Sequence, residues 1–209
     1  MPANSFARIF SLTLSVLTLA ALSAEWWSYP DKIEVHRIEN DDPTIAVTKS
    51  KRLPDDFVPP NLVVIQPDVF RTKKETMIRE ELLIPLKALR LAAEKDGIDL
   101  VVLSGYRSFE RQKTVHEYWV KFEGGNREAA EKYSARPGHS EHQLGTVVDF
   151  STQEINDAIG SKFHQTKAAA WLRKNAGDFG FRLSYPKGAE QKTGYQWESW
   201  HWRWWPEEK

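Results

Sequence analysis

The chain has 209 residues, a size that suits one domain with an N-terminal extension, and 41% of its residues are hydrophobic, enough for a packed core. Its 29 basic residues balance 29 acidic ones, and no basic block stands out, so we expect no nucleic-acid partner. Because cysteine is absent, disulfides and thiolate ligands are excluded, and any metal must be held by histidine and carboxylate.

Residues 1–24 have the pattern of a secretory signal peptide. Arg8 precedes an apolar run over residues 9–22, and the small residues Ser23 and Ala24 follow it. The run is short for a membrane span, which needs about 20 residues. We therefore expect an exported protein, periplasmic or in the cell envelope, with membrane anchoring as the alternative if the segment is not cleaved.

Residues 25–52 form a polar, proline-containing extension ahead of the main domain, residues 53–209. Near its start, Trp26, Trp27 and Tyr29 predict a hydrophobic tether that packs on the domain; a membrane-proximal or wall-facing patch is the alternative.

The first predicted elements of the domain are a helix and a strand. Pro85 suits the first turn of a helix that ends at Gly97. Residues 98–103 are mostly apolar and branched, which predicts a buried strand that delivers residues 104–108 to a cleft.

A second helix is predicted directly afterwards. Ser108 can cap a helix over residues 109–122, which stops before the glycine pair at 124–125. Gln112, one turn in, would share a rim with Arg107.

The C-terminal third predicts one more helix and two strands. Thr166 can cap a helix that ends near Gly177, residues 179–185 form a strand stopped by Pro186, and the aromatic residues 195–205 form the last strand. The chain is therefore predicted to be α+β, with a small antiparallel sheet flanked by helices and a site in a cleft on the sheet.

Side chains of the last strand should alternate between two faces. His201 and Arg203 would point away from Trp200, Trp202 and Trp204. The tryptophan face predicts packing of the sheet on helices, with a stacking platform for sugars as the alternative.

Three residues form a candidate metal site. His142 and Asp149 flank a glycine-containing bend, and His201 offers the third protein ligand that a catalytic zinc usually takes. Glu198 is a candidate general base. In a regular strand Glu198 and His201 would face opposite sides, so a turn or bulge is predicted around Ser199.

The other histidines have weaker claims. His36, His116 and His164 lie outside any motif and are predicted to be ordinary surface or packing residues. The spacing of His139 from His142 would allow ligation on a helical turn, so His139 is a minor candidate.

Three separated motifs carry a resemblance to a known family. They are SGYRS at residues 104–108 with Gln112 following, S-x-H-x-x-G ending in aspartate at residues 140–149, and E-x-x-H at residues 198–201. In this order they resemble the VanY group of zinc D-alanyl-D-alanine carboxypeptidases, from about residue 53 to 204. One departure is Val147, where that family usually has alanine.

The resemblance implies a zinc peptidase domain that acts on a peptidoglycan stem peptide, with no obligate protein partner in evidence. It implies that His142, Asp149 and His201 hold Zn²⁺. Glu198 would be the general base that activates water for attack on the terminal peptide bond.

The resemblance also implies roles for polar residues around the metal. Arg107 would clamp the substrate carboxylate or stabilise the oxyanion, and both roles stay open. Ser108, Gln112 and Ser140 are candidate substrate contacts, although a helix cap and a solvated amide also explain the first two. Ser140 lacks the surroundings of a nucleophilic serine, which favours a contact or supporting role.

The motifs leave alternative functions open. An L,D-carboxypeptidase or a stem-peptide endopeptidase would use the same metal chemistry. A zinc-stabilised cell-wall-binding module without turnover is a further alternative, against which the presence of Glu198 argues.

Overall fold

The computed structural model describes residues 29–38 and 41–206. The predicted signal peptide, residues 1–24, and the aromatic pair Trp26 and Trp27 lie outside the described residues. Among the helices of the described part, none combines the length and the hydrophobicity needed to cross a membrane.

The described strands and helices alternate irregularly along the chain. The strands are β1 (Glu34–Val35), β2 (Lys51–Arg52), β3 (Leu62–Val64), β4 (Met77–Arg79), β5 (Val101–Ser104), β6 (Val147–Ser151), β7 (Phe181–Leu183) and β8 (His201–Trp204). The helices are α1 (Leu83–Lys95), α2 (Phe109–Phe122), α3 (Arg127–Ala130), α4 (Lys167–Asn175) and α5 (Glu190–Thr193).

A four-stranded antiparallel sheet, in the order β5-β6-β8-β7, forms the centre of the described structure. Asp149 on β6 pairs directly with His201 on β8, and Ser104 at the end of β5 also pairs with Asp149. All five residues of β6 are buried. The α+β prediction, a small antiparallel sheet flanked by helices, is confirmed.

The predicted helices form where their capping residues indicate. In α1, Leu86 and Leu89 are buried, and the helix is followed by Gly97, whose φ of 70° suits glycine. The Ser108 hydroxyl accepts a hydrogen bond from the Arg111 N–H and caps α2. Thr166 caps α4 in the same way.

The three predicted strands of the sheet are shorter than expected or shifted. The strand predicted over residues 98–103 is β5, which begins at Val101. The strand predicted over residues 179–185 is β7, which covers only Phe181–Leu183. It begins later than predicted because a 3-10 turn closed by Gly180, with φ of 80°, precedes it. The strand predicted over residues 195–205 is wrong in its first half, because the chain turns before β8.

The tryptophan face of β8 packs on the main core, as the packing interpretation predicts. Trp202 is buried there, and Trp200 and Trp204 pack against it. On the opposite face, His201 and Arg203 both contact a buried carboxylate, described below. The sheet therefore has an apolar face that carries stability and a polar face that carries the candidate site.

The N-terminal extension packs on the domain where it is described. Tyr29 hydrogen-bonds with the Tyr195 hydroxyl at 3.0 Å and makes an edge contact with the His139 ring. Val47 and Leu53 form a second small core with Leu144. This agrees with the tether interpretation for Tyr29.

Candidate active site

A cavity of about 380 Å³ contains most of the polar motif residues. Its polar lining includes Arg107, Gln112, Ser140, His142, Asp149, Glu198 and His201. Its aromatic lining includes Trp119, Tyr133, Tyr185, Tyr195, Trp197 and Trp200. Such a mixture of apolar walls and a few convergent polar groups is typical of a small-molecule or peptide site.

Three side chains converge at the inner end of the motifs. His142 Nε2 lies 3.2 Å from Asp149 Oδ2, and His201 Nδ1 lies 3.4 Å from Asp149 Oδ1. All three residues are buried, and one ligand atom of each lies within 4.8 Å of the others. The fold therefore brings together the three predicted metal ligands: His142 on a 3-10 turn, Asp149 on β6 and His201 at the start of β8.

Hydrogen bonds fix which nitrogen of each imidazole faces the cluster. His142 Nδ1 is 2.6 Å from the Gly105 carbonyl oxygen, which accepts its proton and leaves Nε2 for a metal. His201 Nε2 is 3.0 Å from Glu141 Oε2, so Nδ1 is the free nitrogen. Metal-ligating histidines almost always donate their other N–H in this way.

The geometry fits a zinc ion. Ligand atoms about 2.05 Å from a tetrahedral zinc are separated by roughly 3.3 Å. Each imidazole nitrogen lies about that far from a different Asp149 oxygen, 3.2 Å for His142 and 3.4 Å for His201. Asp149 Oδ1 is buried and has no hydrogen-bond partner among the described residues, so a cation would satisfy a group that is otherwise costly to bury. The two imidazoles and the carboxylate are also ligands that zinc accepts.

Electrostatics keep Asp149 ionised. Burial alone would raise its pKa, but the neighbouring His142 and His201 imidazoles lower the pKa well below its usual range. For His201, burial opposes the charged form, yet the neighbouring Asp149 and Glu141 carboxylates raise the pKa to about 10. A metal ion at Nδ1 would take the place of the proton that this pKa puts there.

Glu198 lies beside the cluster because the chain turns after it. The His201 N–H donates to the Glu198 carbonyl at 3.4 Å across a turn at Ser199 and Trp200. Glu198 Oε2 is then 3.5 Å from His201 Nδ1. The predicted turn around Ser199 is confirmed. Burial of Glu198 raises its pKa to about 7, a value suited to a group that takes and returns a proton near neutral pH.

Arg107 lies on the cavity wall next to the cluster. Its Nη1 donates to Gln112 Oε1 at 3.0 Å, and its Nη2 donates to Ser104 Oγ at 3.3 Å. The same Nη2 is 3.8 Å from Asp149 Oδ2. The predicted shared rim of Arg107 and Gln112 is therefore confirmed, and the guanidinium is held in one orientation.

The candidate substrate contacts are placed differently from one another. Gln112 is 1% exposed, and its amide donates to the Ala135 carbonyl at 2.7 Å. It is therefore a buried residue that holds the Arg107 side chain, and not a solvated amide. Ser140 is buried and lines the cavity. Ser108 caps α2 and is not among the cavity-lining residues of the described structure.

The remaining histidines lie away from the cluster. His139 Nδ1 donates to the Thr48 carbonyl at 2.8 Å, and His116 Nδ1 lies 3.3 Å from the Ser134 carbonyl. His36 contacts the Ala46 carbonyl. His164 packs against Trp197 on the cavity rim.

Sequence reasoning missed two residues of the site. Glu141 accepts hydrogen bonds from His201 and from Arg203, and the Tyr185 ring packs 4.8 Å from the His201 ring. An acid directly before His142 was visible inside the motif, but only the pairing of β6 with β8 shows what it contacts. Nothing in the sequence around Tyr185 indicates that this residue belongs to the site.

Gly105 is expected to be intolerant of a side chain. A Cβ there would overlap the Met77 carbonyl oxygen and crowd Thr76 Cγ2, so Gly105→Ala should lower the free energy of unfolding by about 1–3 kcal/mol or more. Gly177→Ala is the control, because nothing lies within 4 Å of its added Cβ. Urea denaturation of both variants checks this, and equal stabilities would contradict it.

Comparison with known proteins identifies the family. A family model described as "VanY: D-alanyl-D-alanine carboxypeptidase" matches residues 75–207. The chain belongs to the VanY family. YodJ of Bacillus subtilis (strain 168) is 36% identical over 193 residues, which are 88% of this chain and 68% of that protein.

Solved structures agree with this assignment. The LdcB LD-carboxypeptidase superposes with a TM-score of 0.73 at 32% identity, over 87% of this chain and 86% of that one. A mutant of the vancomycin-resistance D,D-pentapeptidase VanY in complex with Zn(II) gives a TM-score of 0.61 at 30% identity, over 77% of this chain and 86% of that one. This VanY-family chain is therefore an enzyme, a peptidoglycan carboxypeptidase of the zinc peptidase class.

The departure from the family pattern at Val147 is accommodated. Val147 is fully buried and pairs with Arg203 in the sheet, so the larger side chain does not prevent β6 from forming.

Proposed function

We propose that this chain is a zinc-dependent D,D-carboxypeptidase that removes the terminal D-alanine from peptidoglycan stem peptides. The observation that carries the proposal is the cluster of His142, Asp149 and His201 with Glu198 beside it, in a cavity of about 380 Å³. Family membership and the zinc complex of a VanY neighbour support the same reading.

His142, Asp149 and His201 would hold the zinc. When bound, zinc supplies Lewis-acid polarisation of a carbonyl and lowers the pKa of water towards about 7. The chain contributes the three ligands, their orientation by Gly105 and Glu141, and a cavity with aromatic side chains in its lining.

Glu198 moves the proton. Its carboxylate is close enough to the cluster to take a proton from the attacking water, and it can return that proton to the leaving amine of the terminal residue. No nucleophilic serine is needed, and Ser140 lies on the cavity wall where it can contact the substrate.

Arg107 stabilises the oxyanion in this proposal. Its Nη2 is 3.8 Å from the ligand Asp149, so the guanidinium lies next to the place where the attacked carbonyl would sit. A clamp on the substrate carboxylate would suit a guanidinium further from the ligands. A fixed charged donor at this position stabilises charge that develops in the transition state.

Arg107→Lys should separate these two roles. Loss of an oxyanion donor is expected to lower kcat by about 10²–10³-fold with KM within a few-fold of wild type, because the interaction forms only in the transition state. Arg111→Lys, on the exposed side of α2, is the matched control. A raised KM with unchanged kcat would instead assign Arg107 to the substrate carboxylate.

The proposed specificity is tested by product analysis. The zinc-loaded protein is incubated with stem pentapeptide and, separately, with stem tetrapeptide, and the released amino acid and remaining peptide are identified by mass. Conversion of pentapeptide to tetrapeptide plus D-alanine supports D,D activity. Internal cleavage of the stem would indicate an endopeptidase and reject the proposal.

An L,D-carboxypeptidase is the second candidate. The LdcB LD-carboxypeptidase has a higher TM-score to this chain than the VanY D,D-pentapeptidase. The same assay distinguishes the two, because an L,D enzyme would shorten the tetrapeptide and leave the pentapeptide intact.

We also propose that the chain is exported, on the basis of the pattern in residues 1–24. N-terminal sequencing of the protein from its native host should give a start near Ala24 or Glu25. An intact Met1 in a membrane fraction would favour the anchor.

A further inference from the structure

Two buried arginines connect the metal-site turn to the N-terminal extension. Arg203 is 1% exposed. Its Nη1 donates to Glu141 Oε1 at 2.9 Å, and its Nη2 donates to the carbonyl oxygens of Pro43 and Ile45 at 3.0 and 2.7 Å. Since Glu141 accepts from His201, a continuous chain of hydrogen bonds runs from the extension to a metal ligand.

The second arginine makes a parallel connection. Arg79 is fully buried, and its Nε donates to the Leu144 carbonyl at 2.6 Å. Its Nη1 and Nη2 form a two-point pair with the Asp41 carboxylate, and its backbone N–H donates to the Gly145 carbonyl at 3.0 Å. Arg79 thus holds the end of the turn that carries His142.

Direct contacts strengthen both connections. The Leu53 N–H donates to the Gly138 carbonyl at 2.9 Å. The Gln143 side chain donates to the carbonyl oxygens of Pro54 and Phe57 at 3.0 and 3.1 Å. We call residues 41–57 the N-terminal bracket and residues 138–145 the motif loop. The bracket holds the motif loop at its start, middle and end.

The position of Glu141 explains why these contacts matter to the site. It accepts a hydrogen bond on each carboxylate oxygen, from His201 at Oε2 and from Arg203 at Oε1. Glu141, held by Arg203, therefore fixes the orientation of the His201 ring. Burying a guanidinium is costly unless acceptors face it. For Arg203 the acceptors are Glu141 Oε1 and the carbonyl oxygens of Pro43 and Ile45, so the bracket supplies two of the three.

We propose that the N-terminal bracket, which lies ahead of the family-matched residues 75–207, is a working part of the metal site, with Arg203 and Arg79 as positioning residues that hold the motif loop and His201. The inference rests on the proposed zinc site. According to this inference, residues 41–57 raise the affinity of the site for the metal. A segment that merely covered the surface of the domain would contribute only to stability.

The experiment measures zinc affinity by chelator competition on the full chain, well below the thermal midpoint of each variant. Loss of a supporting partner typically lowers metal affinity by about 10–100-fold. Arg203→Met should approach the upper figure. Arg203→Lys should lower affinity by about 10-fold, because lysine keeps the charge beside Glu141 but cannot also reach both bracket carbonyls. Asp41→Asn should lower affinity by a similar factor, because it removes the charge that pairs with Arg79.

Arg182→Met is the matched control, since Arg182 pairs with Arg203 across β7 and β8 but is exposed; its zinc affinity should equal that of wild type. Wild-type zinc affinity in folded Arg203→Lys and Asp41→Asn, whatever their thermal midpoints, would overturn the proposal. If Arg203→Met does not fold, the other two variants still decide.

The outcome is separable from that of the proposed function. A wild-type protein that binds zinc but releases nothing from any stem peptide would reject the function, and the affinities of the variants would still be decisive. A wild-type protein without measurable zinc affinity would reject both.

Discussion

Glu198→Gln is expected to abolish most turnover while zinc stays bound. Glutamine keeps the volume and hydrogen-bonding ability of Glu198 but cannot accept the proton, and general-base assistance typically contributes about 10²–10⁴-fold. That range corresponds to roughly 3–5 kcal/mol of barrier. Stem-peptide affinity should survive, because Arg107 and the aromatic cavity walls are unchanged.

The control is Glu75→Gln, which removes the same charge from an exposed position and should leave all three measurements unchanged. Zinc content, D-alanine release and peptide affinity are determined on one preparation of each variant. Activity of Glu198→Gln within a few-fold of wild type would show that Glu198 is not the base. A loss of zinc would show that it acts as a ligand.

His142→Ala and His201→Ala are expected to lose stoichiometric zinc. Each removes one of three protein ligands, which leaves a site with too few donors for a catalytic zinc. The loss of affinity should therefore exceed the about 100-fold expected for a supporting partner. Activity should fall with zinc occupancy, measured by metal analysis after dialysis.

His139→Ala is the control closest in sequence. His139 donates to the Thr48 carbonyl in the N-terminal bracket and packs on Tyr29. Its loss should lower stability and weaken zinc binding by about 10-fold at most, which still leaves one zinc per chain. Retention of one zinc per chain in both His142→Ala and His201→Ala would refute the ligand assignment.

The parts of the site that sequence could predict are those where chemistry limits the choice. Without cysteine, a metal needs histidine and carboxylate, and only a few residues offer them at motif spacing. The turn at Ser199 was predictable for the same reason, since Glu198 and His201 cannot share a site from a regular strand. Helices α2 and α4 were predictable because Ser108 and Thr166 are strong capping residues.

Other features depended on tertiary contacts. The aromatic alternation of residues 195–205 resembles a strand throughout, but only β8 finds partners, because the preceding residues line the cavity instead. The role of Glu141 was hidden since its partners His201 and Arg203 lie about sixty residues away. Contacts to the backbone of Pro43 and Ile45 leave no trace in side-chain patterns.

The pairing of Asp149 with His201 links metal binding to the alignment of two strands. A slip of β8 against β6 by one residue would place Val148 or Phe150 opposite His201 and turn every side chain to the other face. Only the native alignment presents two ligands to one ion, so bound zinc would stabilise that alignment by an amount that rises with the logarithm of its free concentration above Kd. Zinc would therefore favour the correct pairing of the two central strands over a slipped one, in addition to its role in the reaction.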